Sequence, residues 1–190
     1  YVYDKRLTDK KNVTLETRSG IKELQLTTRK LSGSREEVTE VTVDMGYPVV
    51  GEAALEIEAG GYFYTGTVVS MGNPHLVIFV EDIANINLPT IGPLQECHPL
   101  FPNRTNVEFV QVLNMDEVRM KVWERGSGIT QACGTGACAT AVAGVIRRKT
   151  GRKTKVVMDG GPLTIRWDES SGHVYMTGGA VKVFEGELEI

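Results

Sequence analysis

The sequence predicts an α+β protein in which strands dominate and one long buried helix is the main helical element. Three observations support this class. Short segments of alternating polar and apolar residues recur between glycine-containing turns, as expected for strands. Residues 135–149 instead form a longer run of mostly Ala, Val, Ile and small residues, which is typical of a buried helix. Helices and strands do not alternate regularly, which argues against a repeated βαβ fold.

The first part of the chain is predicted to contain three strands, at residues 12–17, 21–28 and 38–45. The first two flank the Ser19-Gly20 turn and therefore form a predicted hairpin. Residues 30–37 are polar and are predicted to be an exposed loop. Gly46-Tyr47-Pro48 ends the third strand and marks the predicted domain boundary.

The second part of the chain is predicted to contain further strands, at residues 62–71, 75–80, 106–113, 117–124, 155–159, 163–168, 173–177 and 180–184. A short helix is predicted at residues 88–97. The long helix at residues 135–149 carries Arg147, Arg148 and Lys149 in its predicted last turn, with Gly151 just beyond. Cations and a following glycine are common at the C-terminal ends of helices.

Two segments of the sequence share one order of predicted elements: a helix end, a basic loop, a strand, a turn and a second strand. One segment covers residues 2–26 and the other covers residues 145–166. This order suggests an internal repeat, which would change how the fold is interpreted. If the repeat is real, a helix should precede Tyr1, and we therefore expect the chain to be a fragment of a longer protein.

Composition narrows the class of protein. The chain has 190 residues, 41% of them hydrophobic and 24% charged, as expected for a globular protein. Its net charge is −3 and no basic stripe is interleaved with aromatic residues, so nucleic acid is not a predicted partner. No apolar run approaches membrane-spanning length, which argues against a membrane partner. Three cysteines without a disulfide spacing favour a reducing compartment, and we predict a cytoplasmic protein.

Cys133 is the candidate catalytic residue because it lies at the predicted start of the long helix. Backbone N–H groups are unpaired at such a position, and the helix dipole is positive there. This environment stabilises a thiolate, so we expect the pKa of Cys133 to be lowered. The same N–H groups can bind a substrate carboxylate. One short segment thus offers a base and an anion site side by side.

Four motifs and the C-terminal segment together resemble diaminopimelate epimerase. They are Met71-Gly72-Asn73-Pro74-His75, Arg104-Thr105-Asn106-Val107-Glu108-Phe109, Trp123-Glu124-Arg125-Gly126, Gln131-Ala132-Cys133-Gly134-Thr135-Gly136-Ala137-Cys138 and Tyr175-Met176-Thr177-Gly178. The motifs occur in family order over nearly the whole chain. A lone Cys-Gly-Thr-Gly also occurs in the related proline racemases, and the preceding Glu-Arg-Gly favours the diaminopimelate branch.

The resemblance implies a pseudo-symmetric mixed β-sheet or barrel domain around one long central helix, together with a partial first domain. It implies residues 1–46 as the remnant of the N-terminal domain, 47–178 as the C-terminal domain and 179–190 as a tail returning toward the first domain. The family has one catalytic cysteine in each domain, and Cys133 is similar to the second. The segment with the first cysteine would lie upstream of Tyr1, so we expect this chain alone not to epimerise.

The resemblance also implies the chemistry. The family interconverts LL- and meso-diaminopimelate for lysine and cell-wall synthesis, without a metal or pyridoxal phosphate. We accordingly expect a small-molecule substrate, diaminopimelate, with no cofactor and no metal. Inverting an α-carbon requires a base on one face and an acid on the other, which two thiols can supply. A homodimer is retained as a hypothesis for the assembly.

Four residues near Cys133 are expected to bind the reacting end of the substrate or its charged groups. Glu124 is expected to receive a substrate ammonium and to support Cys133, and Arg125 is expected to bind a carboxylate. The alternative for this pair is a surface ion pair. Gly134 and Thr135 are expected to offer backbone N–H groups to the α-carboxylate.

Three further residues are assigned by the same resemblance. Asn73 and Asn106 are expected to contact polar groups at the distal end of the substrate, although Asn73 in a Gly-Asn-Pro turn could instead bond its own backbone. His75 is expected to tune the protonation of the thiols, with a purely structural role as the alternative.

The remaining cysteines and histidines are not expected to react. Cys138, five residues after Cys133, is predicted to pack in the core. Cys97, His98 and His173 show no spacing that suggests zinc.

Three other functions remain open. They are a related racemase or isomerase acting on another amino acid or small acid, a hydrolase that uses Cys133 and His75, and a non-catalytic binding module.

Overall fold

The computed structural model describes residues 1–17, 19–31 and 36–188 of the chain. The chain divides into two compact units, one formed by Tyr1–Asp44 with the segment from Thr177 onward, and one formed by Met45–Met176. The described ranges contain many strands and two α-helices, so the predicted α+β class is confirmed. Neither helix in these ranges has the length and apolarity to cross a membrane.

The first unit is built on an antiparallel sheet. Its strands are β1 (Asn12–Thr17), β2 (Gly20–Lys30) and β3 (Glu36–Gly46), the last of which runs past the unit boundary. β1 pairs with β2 as the predicted hairpin, and β2 pairs with β3. Residues 32–35 of the predicted loop lie outside the described residues. The loop prediction is wrong at its two ends, because residues 30 and 36–37 belong to β2 and β3.

The second unit contains a mixed sheet. Its strands are β4 (Val49–Val50), β5 (Leu55–Ala59), β6 (Tyr62–Ser70), β7 (Pro74–Val80), β8 (Asn106–Asn114), β9 (Glu117–Glu124), β10 (Gly128–Thr130), β11 (Lys153–Met158), β12 (Gly161–Trp167) and β13 (Val174–Gly179), the last of which runs past the unit boundary. The order β12-β11-β9-β8-β7-β6-β4 has β10 beside β9 and β5 beside β6. The pairs β7–β8 and β9–β11 are parallel, whereas the others recorded in this order are antiparallel.

The two helices belong to the second unit. They are α1 (Leu88–Glu96), which the sequence predicted to within one residue, and α2 (Gly134–Ile146). α2 contacts β6, β7, β8, β11 and β12, so strands from both halves of the sheet surround it. Its residues from Gly136 to Gly144 are all buried, as expected for a helix without charged side chains.

The predicted end of α2 is wrong. The helix ends at Ile146, and Arg147 is its C-cap, so no basic residue lies in its last turn. Arg148 adopts a left-handed backbone conformation with φ of +54°, which ends the helix three residues earlier than predicted. Position 148 is not a glycine, so the sequence pattern predicts a later helix end, just before Gly151.

The strand predicted at residues 180–184 is also wrong. This segment is irregular in the structure, and Val181, Val183 and Phe184 are each more than four-fifths exposed. An alternating sequence forms a strand only where a neighbouring strand accepts its hydrogen bonds. The short strands β4, β5 and β10 were not predicted, because pairing with β6 and β9 defines them more than their own sequences do.

The predicted internal repeat is confirmed in the backbone of each unit. Both segments contain the same set of helix-ending hydrogen bonds: from Lys5 N–H to Tyr1, Arg6 to Tyr3 and Leu7 to Val2 in one, and from Arg147 to Ala143, Arg148 to Val145 and Lys149 to Gly144 in the other. Arg6 matches Arg148, with φ of +57°. Each segment continues with a six-residue strand, a turn and a second strand that begins with a glycine at positive φ.

Gly92 in α1 allows the helix to pack directly on the indole of Trp123 in β9. A β-carbon at Gly92 would lie 2.5 Å from a carbon of the Trp123 ring. Gly92→Ala is therefore expected to destabilise the fold by about 2 kcal/mol, because the overlap outweighs the gain of about 1 kcal/mol in helix propensity. Denaturant unfolding measures this change. Thr90→Ala, at an exposed position of the same helix, is the control and should change stability little; a stabilised Gly92→Ala would contradict the packing.

Candidate active site

Cys133 is the N-cap residue of α2, as the sequence predicted. Its carbonyl accepts the first helical hydrogen bond from Ala137, at 2.9 Å. Its Sγ accepts a hydrogen bond from the Gly136 N–H at 3.3 Å, which is the contact that a serine or aspartate oxygen usually makes at an N-cap. The thiol therefore lies at the positive end of the helix dipole. Only 6% of the residue is exposed.

The expected lowering of the Cys133 pKa is wrong for this structure. Burial of the thiol, followed by the nearby Glu108 carboxylate and to a smaller extent Glu124, raises its pKa to about 11. The hydrogen bonds from Thr135 and Gly136 act in the opposite direction. Removal from water disfavours the charged thiolate. This effect on the pKa outweighs the stabilisation of the thiolate by the start of the helix. The sequence indicated that Cys133 lies at the start of a helix, but it did not indicate how deeply the thiol is buried.

This pKa predicts the reactivity of the thiol. Because the thiolate is the nucleophile, alkylation of Cys133 by iodoacetamide is expected to rise roughly tenfold for each pH unit, without levelling off below about pH 10. Peptide mass spectrometry measures the rate, with exposed Cys97 as an internal reference. Cys133→Ser removes the signal and is the control. A plateau of the Cys133 rate near neutral pH would contradict the raised pKa.

Hydrogen bonds link four side chains to the thiol. His75 Nδ1 lies 2.7 Å from Glu108 Oε1, and His75 Nε2 lies 3.1 Å from Asn73 Oδ1. Asn73 Nδ2 donates to Thr135 Oγ1 at 3.2 Å, and this hydroxyl lies 3.6 Å from Cys133 Sγ. The structure thus brings together the predicted residues Asn73, His75, Thr135 and Cys133.

The pairing of β7 with β8 explains this arrangement. His75 is directly opposite Asn106 in the parallel register. Residues two apart in a strand point to the same face, so Glu108 shares a face with Asn106 and reaches His75. Asn73 comes from the turn that precedes β7, where Gly72 has φ of +96°. Glycine adopts this conformation without steric cost, which allows the tight turn.

Asn106 joins two backbone segments of the site. Its Nδ2 donates to the Pro74 carbonyl at 2.8 Å, and its Oδ1 accepts from the Arg125 N–H at 2.9 Å. The residue is only 4% exposed. Its side chain therefore links the start of β7 to the β9–β10 turn, and a direct contact with substrate stays a prediction.

Glu124 and Arg125 do not use each other as partners. The Glu124 carboxylate accepts from the Thr130 hydroxyl, and the Arg125 guanidinium donates to the Asn103 carbonyl at 3.2 Å. Arg125 is exposed and Glu124 is half-buried. These contacts do not support the surface ion pair that was the alternative, and the substrate-binding roles stay predictions.

Two buried carboxylates were missed by sequence reasoning. Glu108 is fully buried beside His75, and its position among the apolar residues of β8 was the available signal. Glu96 of α1 accepts hydrogen bonds from the Trp123 indole at 2.7 Å and from the Gly126 N–H at 3.0 Å. Burial works against ionisation of Glu96, but these bonds and Arg104 outweigh it and lower the pKa. Glu96 thus fixes the β9–β10 turn.

The remaining cysteines lie apart from this group. Cys138 is fully buried within α2, as predicted for core packing, and Cys97 is exposed at the end of α1. The described ranges contain no group of three or more His, Cys, Asp or Glu side chains arranged to hold a metal ion.

The fold is shared with solved structures of racemases and epimerases. A probable proline racemase from Agrobacterium radiobacter superposes with a TM-score of 0.72 at 18% identity, over 100% of this chain and 64% of that chain. A hydroxyproline epimerase from Agrobacterium vitis gives a TM-score of 0.65 at 16% identity, over 94% of this chain and 60% of that one. At these identities the likeness defines the fold alone, and it confirms the predicted mixed-sheet architecture.

Sequence comparison is more specific. A family model described as diaminopimelate epimerase matches residues 67–183. A diaminopimelate epimerase from Parabacteroides distasonis is 74% identical over 100% of this chain and 69% of its own length, and one from Phocaeicola vulgatus is 58% identical over 100% and 70%. The chain therefore belongs to the diaminopimelate epimerase family, a family of isomerases.

Proposed function

We propose that this chain takes part in the interconversion of LL- and meso-diaminopimelate, with Cys133 as the proton-transfer group on one face of the α-carbon. The observation that carries the proposal is the placement of the Cys133 thiol as the N-cap of α2. A second thiol is proposed to serve the opposite face. In the described ranges, Cys97 follows α1 and Cys138 lies inside α2, so neither occupies a comparable helix start.

The proposed reaction moves one proton at a time. The Cys133 thiolate removes the α-proton of one stereoisomer, and the opposite acid returns a proton to the other face of the carbanion. In the reverse direction Cys133 starts as a thiol and donates. Because the α-proton is very weakly acidic, a buried thiol with a raised pKa is a stronger base once it is ionised. The same burial excludes water from the carbanion.

The first turn of α2 supports binding of the substrate α-carboxylate. The N–H groups of Gly134 and Thr135 have no hydrogen-bond partner among the described residues. Unpaired N–H groups at a helix start bind anions, and they would also stabilise charge that develops on the carboxylate. A β-carbon at Gly134 would lie 3.1 Å from the Met176 sulfur, so this position packs closely on Met176.

The other assigned residues have proposed roles consistent with their positions. Half-buried Glu124, the last residue of β9, would receive a substrate ammonium, and exposed Arg125 would receive a carboxylate. Asn106 and Glu96 hold the β9–β10 turn, which begins at Arg125, in place. Asn73 would contact the distal end of the substrate, and His75 would act on the thiol through Asn73 and Thr135. No cofactor is proposed.

The alternative of a Cys133–His75 hydrolase receives little support. Both ring nitrogens of His75 face Asn73 and Glu108, whereas the sulfur faces Thr135 and Gly136. A hydrolase of this type needs the imidazole within hydrogen-bond distance of the nucleophile.

We further propose the cytoplasm as the location, lysine and cell-wall synthesis as the setting and a homodimer as the assembly, all from family membership.

The proposal can be tested by α-hydrogen exchange in deuterated water. The protein for the assay is a hybrid in which this chain replaces the matching 69% of the Parabacteroides distasonis relative, with that relative as the positive control. LL-diaminopimelate is expected to acquire deuterium at its α-carbon and to yield the meso isomer, as followed by NMR. Proline is the comparison substrate. A folded hybrid that exchanges only proline, or neither compound, would contradict the proposal.

A further inference from the structure

The segment that leads into Cys133 rests on the turn between β11 and β12. This turn consists of Asp159 and Gly160, and the segment consists of Gln131 and Ala132. The Gly160 N–H donates to the Gln131 carbonyl at 2.7 Å. A β-carbon at Gly160 would lie 3.1 Å from the same carbonyl oxygen and 3.3 Å from the Ala132 β-carbon. The turn and the segment are therefore in direct backbone contact, which leaves little room for a side chain at position 160.

A second contact joins the end of β11 to Cys133 itself. The Cys133 N–H donates to the Met158 sulfur at 3.5 Å. Met158 and Cys133 are 5% and 6% exposed, so this contact lies in the core of the unit. A thioether is a weak acceptor, and the contact therefore places Cys133 more through close packing than through its own strength. Met158 and Gly160 thus hold two successive parts of the chain at the thiol.

The turn is fixed to β9 by Arg119. The guanidinium donates to the carbonyls of Met120 at 2.8 Å and Val157 at 2.9 Å, and it pairs with the Asp159 carboxylate. Only 24% of the Arg119 side chain is exposed. A guanidinium bound on several sides has a fixed orientation, because its donors form a rigid planar fork. Asp159 is therefore held at a defined place beside β9.

A cavity of about 220 Å³ adjoins the same contact. Gln131, Met158 and Asp159 contribute to its lining, together with residues of β9, β10 and the start of α1. The segment before Cys133 therefore has space beside it and can shift without unfolding the rest of the unit. Its position depends on the contact with the turn, because close packing does not enclose it on every side.

We propose that Gly160 and Asp159 are positioning residues, which hold residues 131–132 against the β11–β12 turn and thereby keep the Cys133 thiol buried at the start of α2. This inference deepens the proposed function, because it rests on Cys133 as the group that transfers the proton. Both residues act through the segment and not on the reacting carbon. Such placement matters because a displacement of about 1 Å can cost about 10²-fold in rate.

Gly160→Ala tests the backbone contact in the full chain. The added methyl group presses on the Gln131 carbonyl and the Ala132 β-carbon, so the segment is expected to move and the thiol to gain contact with water. Alkylation of Cys133 by iodoacetamide at about pH 8 is expected to become at least about threefold faster relative to Cys97, because burial is the main cause of the raised pKa. An unchanged or slower rate would overturn the proposal.

Gly172→Ala is the matched control. Gly172 lies in the turn at the other end of β12 and has φ of +73°, which disfavours a side chain. This substitution is expected to lower the midpoint of thermal unfolding without touching the segment before Cys133. The alkylation rate of Cys133 should therefore stay unchanged. If Gly172→Ala accelerated alkylation as much as Gly160→Ala does, general instability would explain the effect and the proposal would fail.

Substitutions of Asp159 test the ion pair. Asp159→Ala removes the carboxylate that holds Arg119, and alkylation of Cys133 is expected to become at least about twofold faster. Asp159→Asn removes the same charge but keeps an oxygen that can accept from Arg119, so it should restore most of the original rate. Glu117→Ala removes a carboxylate that pairs with Lys155 between the same two strands, and it should leave the rate unchanged. Equal rates in the two Asp159 variants, or an equal rise in Glu117→Ala, would contradict the role of Asp159.

The exchange assay relates the turn to the proposed function. In the hybrid protein, Gly160→Ala is expected to lower α-hydrogen exchange at least about fivefold, because the thiol is displaced from the proton that it transfers. An active hybrid whose rate did not fall would overturn the proposal. The alkylation measurements do not use diaminopimelate. A hybrid without exchange, with the expected alkylation results, would therefore count against the proposed function and not against the role of the turn.

Discussion

Replacing Cys133 with serine is expected to reduce α-hydrogen exchange of diaminopimelate by at least about 10³-fold while preserving the fold. Serine is a favoured N-cap residue, so its hydroxyl can accept the Gly136 N–H and keep the start of α2. A serine hydroxyl is, however, a far weaker acid than a thiol, and an alkoxide is not accessible at neutral pH. Proton transfer by a positioned acid or base typically contributes 10²–10⁴-fold, and a group that must act in every turnover lies toward the upper part of this range.

The measurement is deuterium incorporation by the hybrid protein, with thermal unfolding as the check on folding. Cys97→Ser is the matched control, because Cys97 is exposed and lies outside the candidate site. It should leave the exchange rate unchanged. If Cys133→Ser retained a comparable rate with an intact fold, Cys133 would not be the proton-transfer group.

Replacing Gly136 with alanine is expected to cause the second-largest loss of α-hydrogen exchange. A β-carbon at Gly136 would lie 2.6 Å from Glu108 Oε1 and 3.1 Å from Cys133 Sγ. Alanine gains about 1 kcal/mol in helix propensity over glycine, but both neighbouring side chains are buried and cannot move aside freely. We expect a net destabilisation of about 2 kcal/mol and a loss of exchange of at least about 10²-fold, because the thiol is displaced.

Denaturant unfolding and the exchange assay measure the two effects of Gly136→Ala separately. Gly134→Ala is the stability control from the same turn. There the new β-carbon would meet only the sulfur and methyl group of Met176, a flexible side chain. Its stability is expected to change by less than about 1 kcal/mol. A Gly136→Ala protein more stable than the parent would show that the space around Gly136 is larger than the structure indicates.

The sequence was most informative where local rules act alone. The hairpin of β1 and β2 was predicted because alternation and a glycine turn are local signals. The N-terminal position of Cys133 in α2 followed from the glycine-rich segment that precedes an apolar run. The internal repeat was visible for the same reason, since each copy repeats these local signals in the same order.

Features that depend on distant neighbours were not predicted correctly. The pKa of Cys133 depends on burial and on Glu108, which lies on another strand. The contact of Glu108 with His75 depends on the register of β7 and β8. The end of α2 at Ile146 requires Arg148 in a left-handed conformation, which arginine rarely adopts and sequence patterns do not signal. In each case the outcome depends on contacts with residues that are distant in the sequence.

The burial of Cys133 also has a consequence for oxidative damage. Peroxides attack the thiolate, and attack requires access to the sulfur. The thiol of Cys133, a residue that is only 6% exposed and whose pKa is raised to about 11, is a poor target, whereas Cys97 is exposed. Oxidants should therefore modify Cys97 before Cys133, so that the proposed proton-transfer residue is sheltered from oxidation by its burial.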